Sequence, residues 1–108
     1  MPHEYTSIKE DVLNKLSQNL PELRTRFSIQ TIGVFGSVSR GEDTAESDID
    51  IFYAFREGSG AGMFTCMELV SYLENLFGRE VDLVSLNGMK PYFRILIEPE
   101  MIAAEVVA

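Results

Sequence analysis

The chain is poor in cysteine, in histidine and in basic residues, and each shortage closes off a class of function. One cysteine, Cys66, excludes an internal disulfide framework and a cysteine-built zinc cluster. One histidine, His3, sits at the N-terminus and gives little support to a Ser-His-Asp site; solvent exposure is its ordinary reading. No stretch approaches the roughly 20 uninterrupted apolar residues of a membrane helix. The start, Met1-Pro2-His3-Glu4-Tyr5, lacks a basic then apolar leader, so a cytoplasmic chain without a cleaved signal is expected. Nine Lys and Arg face seventeen Asp and Glu, a formal net charge of −8. A surface that grips nucleic acid through its phosphates is normally basic, so direct nucleic-acid binding is not expected. Acidic chemistry that recruits Mg²⁺ is favoured instead.

What is present reads as one domain over residues 1–108, too short for two. The 45 % apolar and 24 % charged content is that of a globular chain. Ile8, Val12, Leu16 and Leu20 recur at helical spacing, Ser7-Ile8-Lys9-Glu10 reads as a capping box, and Pro21 is expected to stop the run. A turn or short helical piece follows to Phe27. Residues 29–35 are β-branched and aromatic, a buried strand, and residues 48–55 form a second. Cys66, Leu69, Val70, Leu73, Leu76 and Phe77 make a helical stripe capped by Gly78. Val81–Ser85 is a third strand, and Pro91 opens a short helix to Ile97. The order α-β-β-α-β-α predicts an α/β (α+β) fold, a small mixed sheet flanked by helices. The apolar tail (Met101, Ile102, Val106, Val107) suits either a partner interface or an edge strand of the same sheet.

The chemistry concentrates in the acids. In Asp48-Ile49-Asp50-Ile51 the two carboxylates point to one face of a strand, about 7 Å apart, and the isoleucines to the other. Ordinary alternation of a half-buried strand accounts for that pattern by itself. A pair of Mg²⁺ ions about 4 Å apart, bridged by such carboxylates, is the alternative. Asp82 places a third carboxylate inside an apolar strand and joins the same face if that strand neighbours the second in register. Upstream, Gly36-Ser37 ends an apolar strand at a sharp turn. Glycine there permits close approach of a phosphate, and the following backbone N–H groups with the Ser37 hydroxyl could hold it. Arg40 lies near enough in sequence to pair with that phosphate.

Gly36-Ser37, ten residues, then Asp48-Ile49-Asp50 resembles the Gly-Ser-x10-Asp-x-Asp signature of the polymerase-β-like nucleotidyltransferases. The longer strings Phe35–Gly41 and Ser47–Ile51 are similar to the minimal nucleotidyltransferases of bacteria and archaea, and Val81-Asp82-Leu83-Val84 to their third catalytic acid. The segment Lys90–Glu100 is similar to their C-terminal helix, while Ser39 stands where alanine is common. The resemblance implies the polymerase-β-like nucleotidyltransferase fold and Mg²⁺-dependent transfer of AMP from ATP to a hydroxyl. It implies Asp48 and Asp50 as ligands of both metals and Asp82 as ligand of the catalytic metal and helper in deprotonating the acceptor. Gly36 and Ser37 would bind the β- and γ-phosphates, with Arg40 as a further phosphate contact. No residues remain for an acceptor-holding domain, so the acceptor is expected on a separate macromolecule. The family implies a HEPN ribonuclease toxin in a hetero-oligomer, adenylylated on a tyrosine, with this chain as antitoxin. The rival reading is a catalytically silent antitoxin that neutralises its partner by occlusion.

Other patterns carry less. Gly58-Ser-Gly-Ala-Gly62 fails as a dinucleotide fingerprint because Met63 replaces the third glycine; it reads as a mobile connector that could lie over the nucleotide. Gly33-Val-Phe-Gly36 sits in a strand end with the wrong charge for a KH loop. No Gly-Lys-Ser/Thr exists for a P-loop. Cys66 reads as a buried, inert thiol.

Overall fold

The computed structural model describes residues 4–106, so His3 and Val107 lie outside the described residues. The first helix, α1 (Lys9–Phe27), carries the expected stripe and then runs on past Pro21. A proline inside a helix costs about 3 kcal/mol. Continuing buries Leu23 and Phe27, which are 0 % and 1 % exposed, and burial of each returns about 1.5–3 kcal/mol. Tertiary burial therefore outweighs the local stop. The capping box is kept in part, with the Ser7 hydroxyl accepting the Lys9 N–H at 3.2 Å, and is reinforced from a distant loop. The helix is entered through Ile8, whose N–H donates to Asp43 Oδ2 at 3.1 Å, while the Ser7 and Tyr5 hydroxyls donate to the same carboxylate.

Strand β1 (Ile29–Phe35) leads into a five-residue helix, α2 (Gly36–Arg40), and a loop returns the chain as β2 (Ile49–Phe55). Helix α3 (Met63–Phe77) then crosses to β3 (Val81–Ser85). Helix α4 (Pro91–Ile97), a 3₁₀ turn (Glu98–Glu100) and a two-residue strand β4 (Ile102–Ala103) follow. The sheet order is β3-β2-β1-β4, with β2 and β3 parallel and the other pairs antiparallel. The mixed sheet is as the sequence predicts. The α3 crossover makes the parallel pair possible, since parallel neighbours need a long connection.

Alternation divides the sheet. Ile49, Ile51 and Tyr53 face the larger core with Ile32 and Val34, beneath α1 and α3, where Leu69 and Leu73 are fully buried. Phe52 and Phe35 join Ile97 in a smaller cluster on the opposite face, under α4. Cys66 is half-buried on α3, its sulfur 3.0 Å from the Tyr53 hydroxyl. Burial, then the Cys66 contact, pushes the Tyr53 phenol up to about 12. For the tail, Ile102 takes the edge-strand role by pairing with Val34. More exposed apolar side chains lie on α4, where Ile95 and Leu96 are 70 % and 73 % exposed, and at the start of α3, where Met63 and Phe64 are 79 % and 83 % exposed. No helix among the described residues is long and apolar enough to cross a membrane.

Candidate active site

The acids converge because of strand register. In the parallel β2–β3 pair Asp50 lies directly opposite Asp82, which puts both side chains on the face that also bears Phe52. Asp48 stands immediately before β2 and two residues from Asp50, at the same end of the sheet. Asp48 and Asp82 are exposed and Asp50 is half-buried. Burial raises the Asp50 carboxyl above its ordinary value, the charges of Asp82 and Asp48 raise it further, and Arg40 opposes them. Carboxylates held against their own repulsion make an environment that a cation relieves.

Across the antiparallel β1–β2 pair, Phe35 is the partner of Asp50, so the residue after Phe35 must turn beside that carboxylate. Gly36 does so with φ of +74°, and a Cβ there would land on the Asp50 carboxylate oxygen. Only glycine satisfies both the left-handed backbone and the contact. The first turn of α2 thus begins against the acids. Ser37 is half-buried and its hydroxyl has no protein partner among the described residues. Arg40 is engaged: Nε lies 2.5 Å from Glu42 and Nη1 2.8 Å from Glu100. These carboxylates, Glu100 first, raise its pKa.

Among the described residues no three His, Cys, Asp or Glu side chains are close enough to form a ready-made cation cage. The donor set nevertheless fits magnesium, which takes oxygen ligands and is usually held by one or two carboxylates with substrate phosphates and water completing its shell. Asp50, with Asp82 opposite and Asp48 beside it, supplies that partial shell.

Three residues that support this arrangement have no local sequence signal. Arg79, between α3 and β3, donates to the carbonyls of Thr44 (2.9 Å) and Ser47 (3.3 Å) and so ties down the loop that delivers Asp48. Asp43 anchors the same loop to the entry of α1. Glu100 accepts the Gly36 N–H at 2.9 Å as well as Arg40. All three act over long sequence separations, so only spacing to a distant partner could have revealed them. The glycine loop, residues 58–62, follows the C-terminal end of β2, whereas the acids stand at its start. Five strand residues, Ile51 to Phe55, lie between Asp50 and the end of β2, roughly 17 Å, so the loop starts well away from the acids. An open groove of about 600 Å³ between α1 and α3, lined by Arg26, Met67 and Tyr72 among others, shares no residue with the acidic site.

The family described as Polymerase beta, Nucleotidyltransferase matches residues 14–103. The protein adenylyltransferase MntA of Thermococcus cleftensis is 43 % identical over 81 residues, 75 % of this chain and 80 % of that protein. A solved structure described as a candidate minimal nucleotidyltransferase superposes with a TM-score of 0.72 at 35 % identity, covering 85 % of this chain and 92 % of the other. The fold also occurs in a complex of a tri-AMPylated Shewanella oneidensis HEPN toxin with MNT antitoxin (TM-score 0.60, 21 % identity, 92 % and 73 % coverage). A glycine turn packed on paired strand carboxylates, found in a chain matched over most of its length, makes this protein a member of the polymerase β nucleotidyltransferase family.

Proposed function

We propose that this chain, with residues 1–108 acting as one catalytic domain, is an Mg²⁺-dependent protein adenylyltransferase that moves AMP from ATP to a tyrosine hydroxyl. The observation that carries the reading is the opposition of Asp50 and Asp82 beside the Gly36 turn, which joins an acidic cation site to a tight backbone bend. Asp48 and Asp50 would hold both ions, and Asp82 the one nearer the acceptor. Bound magnesium would supply neutralisation of the triphosphate and of the charge that develops during transfer. Ser37 and the backbone turn that Gly36 permits orient the β- and γ-phosphates. Asp82 takes up the acceptor proton as the acceptor oxygen bonds to the α-phosphorus, and the bond from that phosphorus to the β-phosphate oxygen breaks to release pyrophosphate.

The acceptor belongs to a cytoplasmic partner, a HEPN-type ribonuclease toxin, and the two form a hetero-oligomer in which this chain is the antitoxin. Support comes from the adenylyltransferase name of the 43 % identical relative and from the exposed apolar residues Tyr92, Ile95 and Leu96 of α4, a surface suited to a protein partner. The test is the intact mass of the partner after incubation with this chain, ATP and Mg²⁺. A gain of one or more AMP units, lost with Asp48→Asn although the complex still forms, is the expected result. A stable complex with no mass change would overturn transfer and leave neutralisation by occlusion.

A further inference from the structure

Glu100 closes the 3₁₀ turn after α4, sixty-four residues from the glycine whose backbone it holds. Its Oε1 accepts the Gly36 N–H at 2.9 Å and its Oε2 accepts Arg40 Nη1 at 2.8 Å. Its backbone carbonyl accepts the Ser39 hydroxyl. One residue therefore touches the first, fourth and fifth positions of the five-residue helix α2. A helix that short has no stability of its own, so its orientation is set by what it is tied to. Glu100 is itself tied down, because two residues later β4 begins and pairs with β1 at Val34 and Gly33.

We propose that Glu100 is a positioning residue: its carboxylate braces the Gly36 turn and Arg40 so that Ser37 and the remaining α2 amides face the nucleotide phosphates. The role rests on the nucleotidyltransferase reading above. Two consequences follow for the division of labour. The Gly36 N–H is already spent on Glu100, so glycine contributes its shape against Asp50 rather than its own amide. Arg40, held between Glu42 and Glu100, acts through the brace instead of gripping phosphate. The opposite arrangement, in which the carboxylate merely fills the phosphate site until ATP evicts it, is disfavoured. The Ser39 bond and β4 keep the Glu100 backbone in place, and an evicted carboxylate would stay close to Asp50, whose charge it already opposes.

The test compares wild type with Glu100→Gln, Arg40→Gln and the double variant in the full chain. Glutamine keeps the length of Glu100 but turns half of the brace into a donor facing Arg40. The brace predicts a rise in KM for ATP of about tenfold, the scale of one charge-assisted hydrogen bond, with kcat within about twofold of wild type. The double variant should be no worse than either single one, because both remove the same contact. Separately, the NMR signal of the Gly36 amide proton, without nucleotide, should move upfield and exchange faster in Glu100→Ala, which removes its acceptor, and in wild type it should stay protected when Mg²⁺ and ATP are added. Tighter ATP binding by Glu100→Gln, additive losses, or an unmoved Gly36 amide would each overturn the brace. Wild type that neither binds ATP nor transfers AMP would defeat the nucleotidyltransferase reading, and the Gly36 amide alone would then decide the brace.

Discussion

Replacing Gly36 by alanine perturbs two things that a control can separate. The left-handed backbone, φ +74°, costs an alanine about 1–2 kcal/mol wherever it occurs. Gly58 has the same φ of +74° with nothing within 4 Å of a Cβ, so Gly58→Ala carries the strain alone. For a domain of this size that strain should lower the melting temperature by roughly 4–12 °C in both variants. Only at Gly36 does the new methyl meet the Asp50 carboxylate, and that side chain must swing away to admit it. Displacing a reacting geometry by about 1 Å can cost a hundredfold in rate. The assay is transfer of AMP to the partner, followed by intact mass over time, beside calorimetric melting of both variants. Gly36→Ala should lose roughly two orders of magnitude in transfer while Gly58→Ala stays near wild type. If Gly36→Ala transferred as well as the Gly58 control at equal destabilisation, the coupling of the turn to Asp50 would be refuted.

Asp50→Asn should raise the melting temperature of the nucleotide-free protein at neutral pH while abolishing transfer. The folded carboxyl titrates above its ordinary value, so its charge opposes folding once the pH exceeds that value; well below the ordinary carboxylate range the gain should vanish. Asp43→Ala should do the reverse. Burial raises that carboxyl, but hydrogen bonds from Ser7, Tyr5 and the Ile8 N–H outweigh it and hold it below its ordinary value. Its contribution is therefore present above the ordinary carboxylate pKa and disappears as pH falls through the lower folded one. Urea unfolding should show a loss of about 1–3 kcal/mol for Asp43→Ala at neutral pH, shrinking at about pH 3. A constant difference across pH would contradict the assignment.

The sequence by itself determined the elements whose signals are local. The stripes of α1 and α3 and the β-branched runs of β1 and β2 are repeated apolar spacings, and any packing of this chain must bury them. The Gly-Ser turn, Asp48, Asp50 and Asp82 were readable for the same reason: fixed spacing on short elements places each residue on a definite face. Tertiary structure decided the rest. Pro21 marks a stop by its own chemistry, yet burial of Leu23 and Phe27 carries the helix through it. Ser7 and Glu10 spell a capping box, yet Asp43 from a distant loop holds the helix entry. Whether Asp82 meets Asp50 depends on parallel register across a helical crossover, and alternation within one strand is silent on register between two. Glu100 and Arg79 reach the site across 64 and 32 residues, through contacts that exist only once the sheet has assembled. Local spacing supplied the candidate carboxylates and the glycine turn, and long-range packing decided what holds them in place.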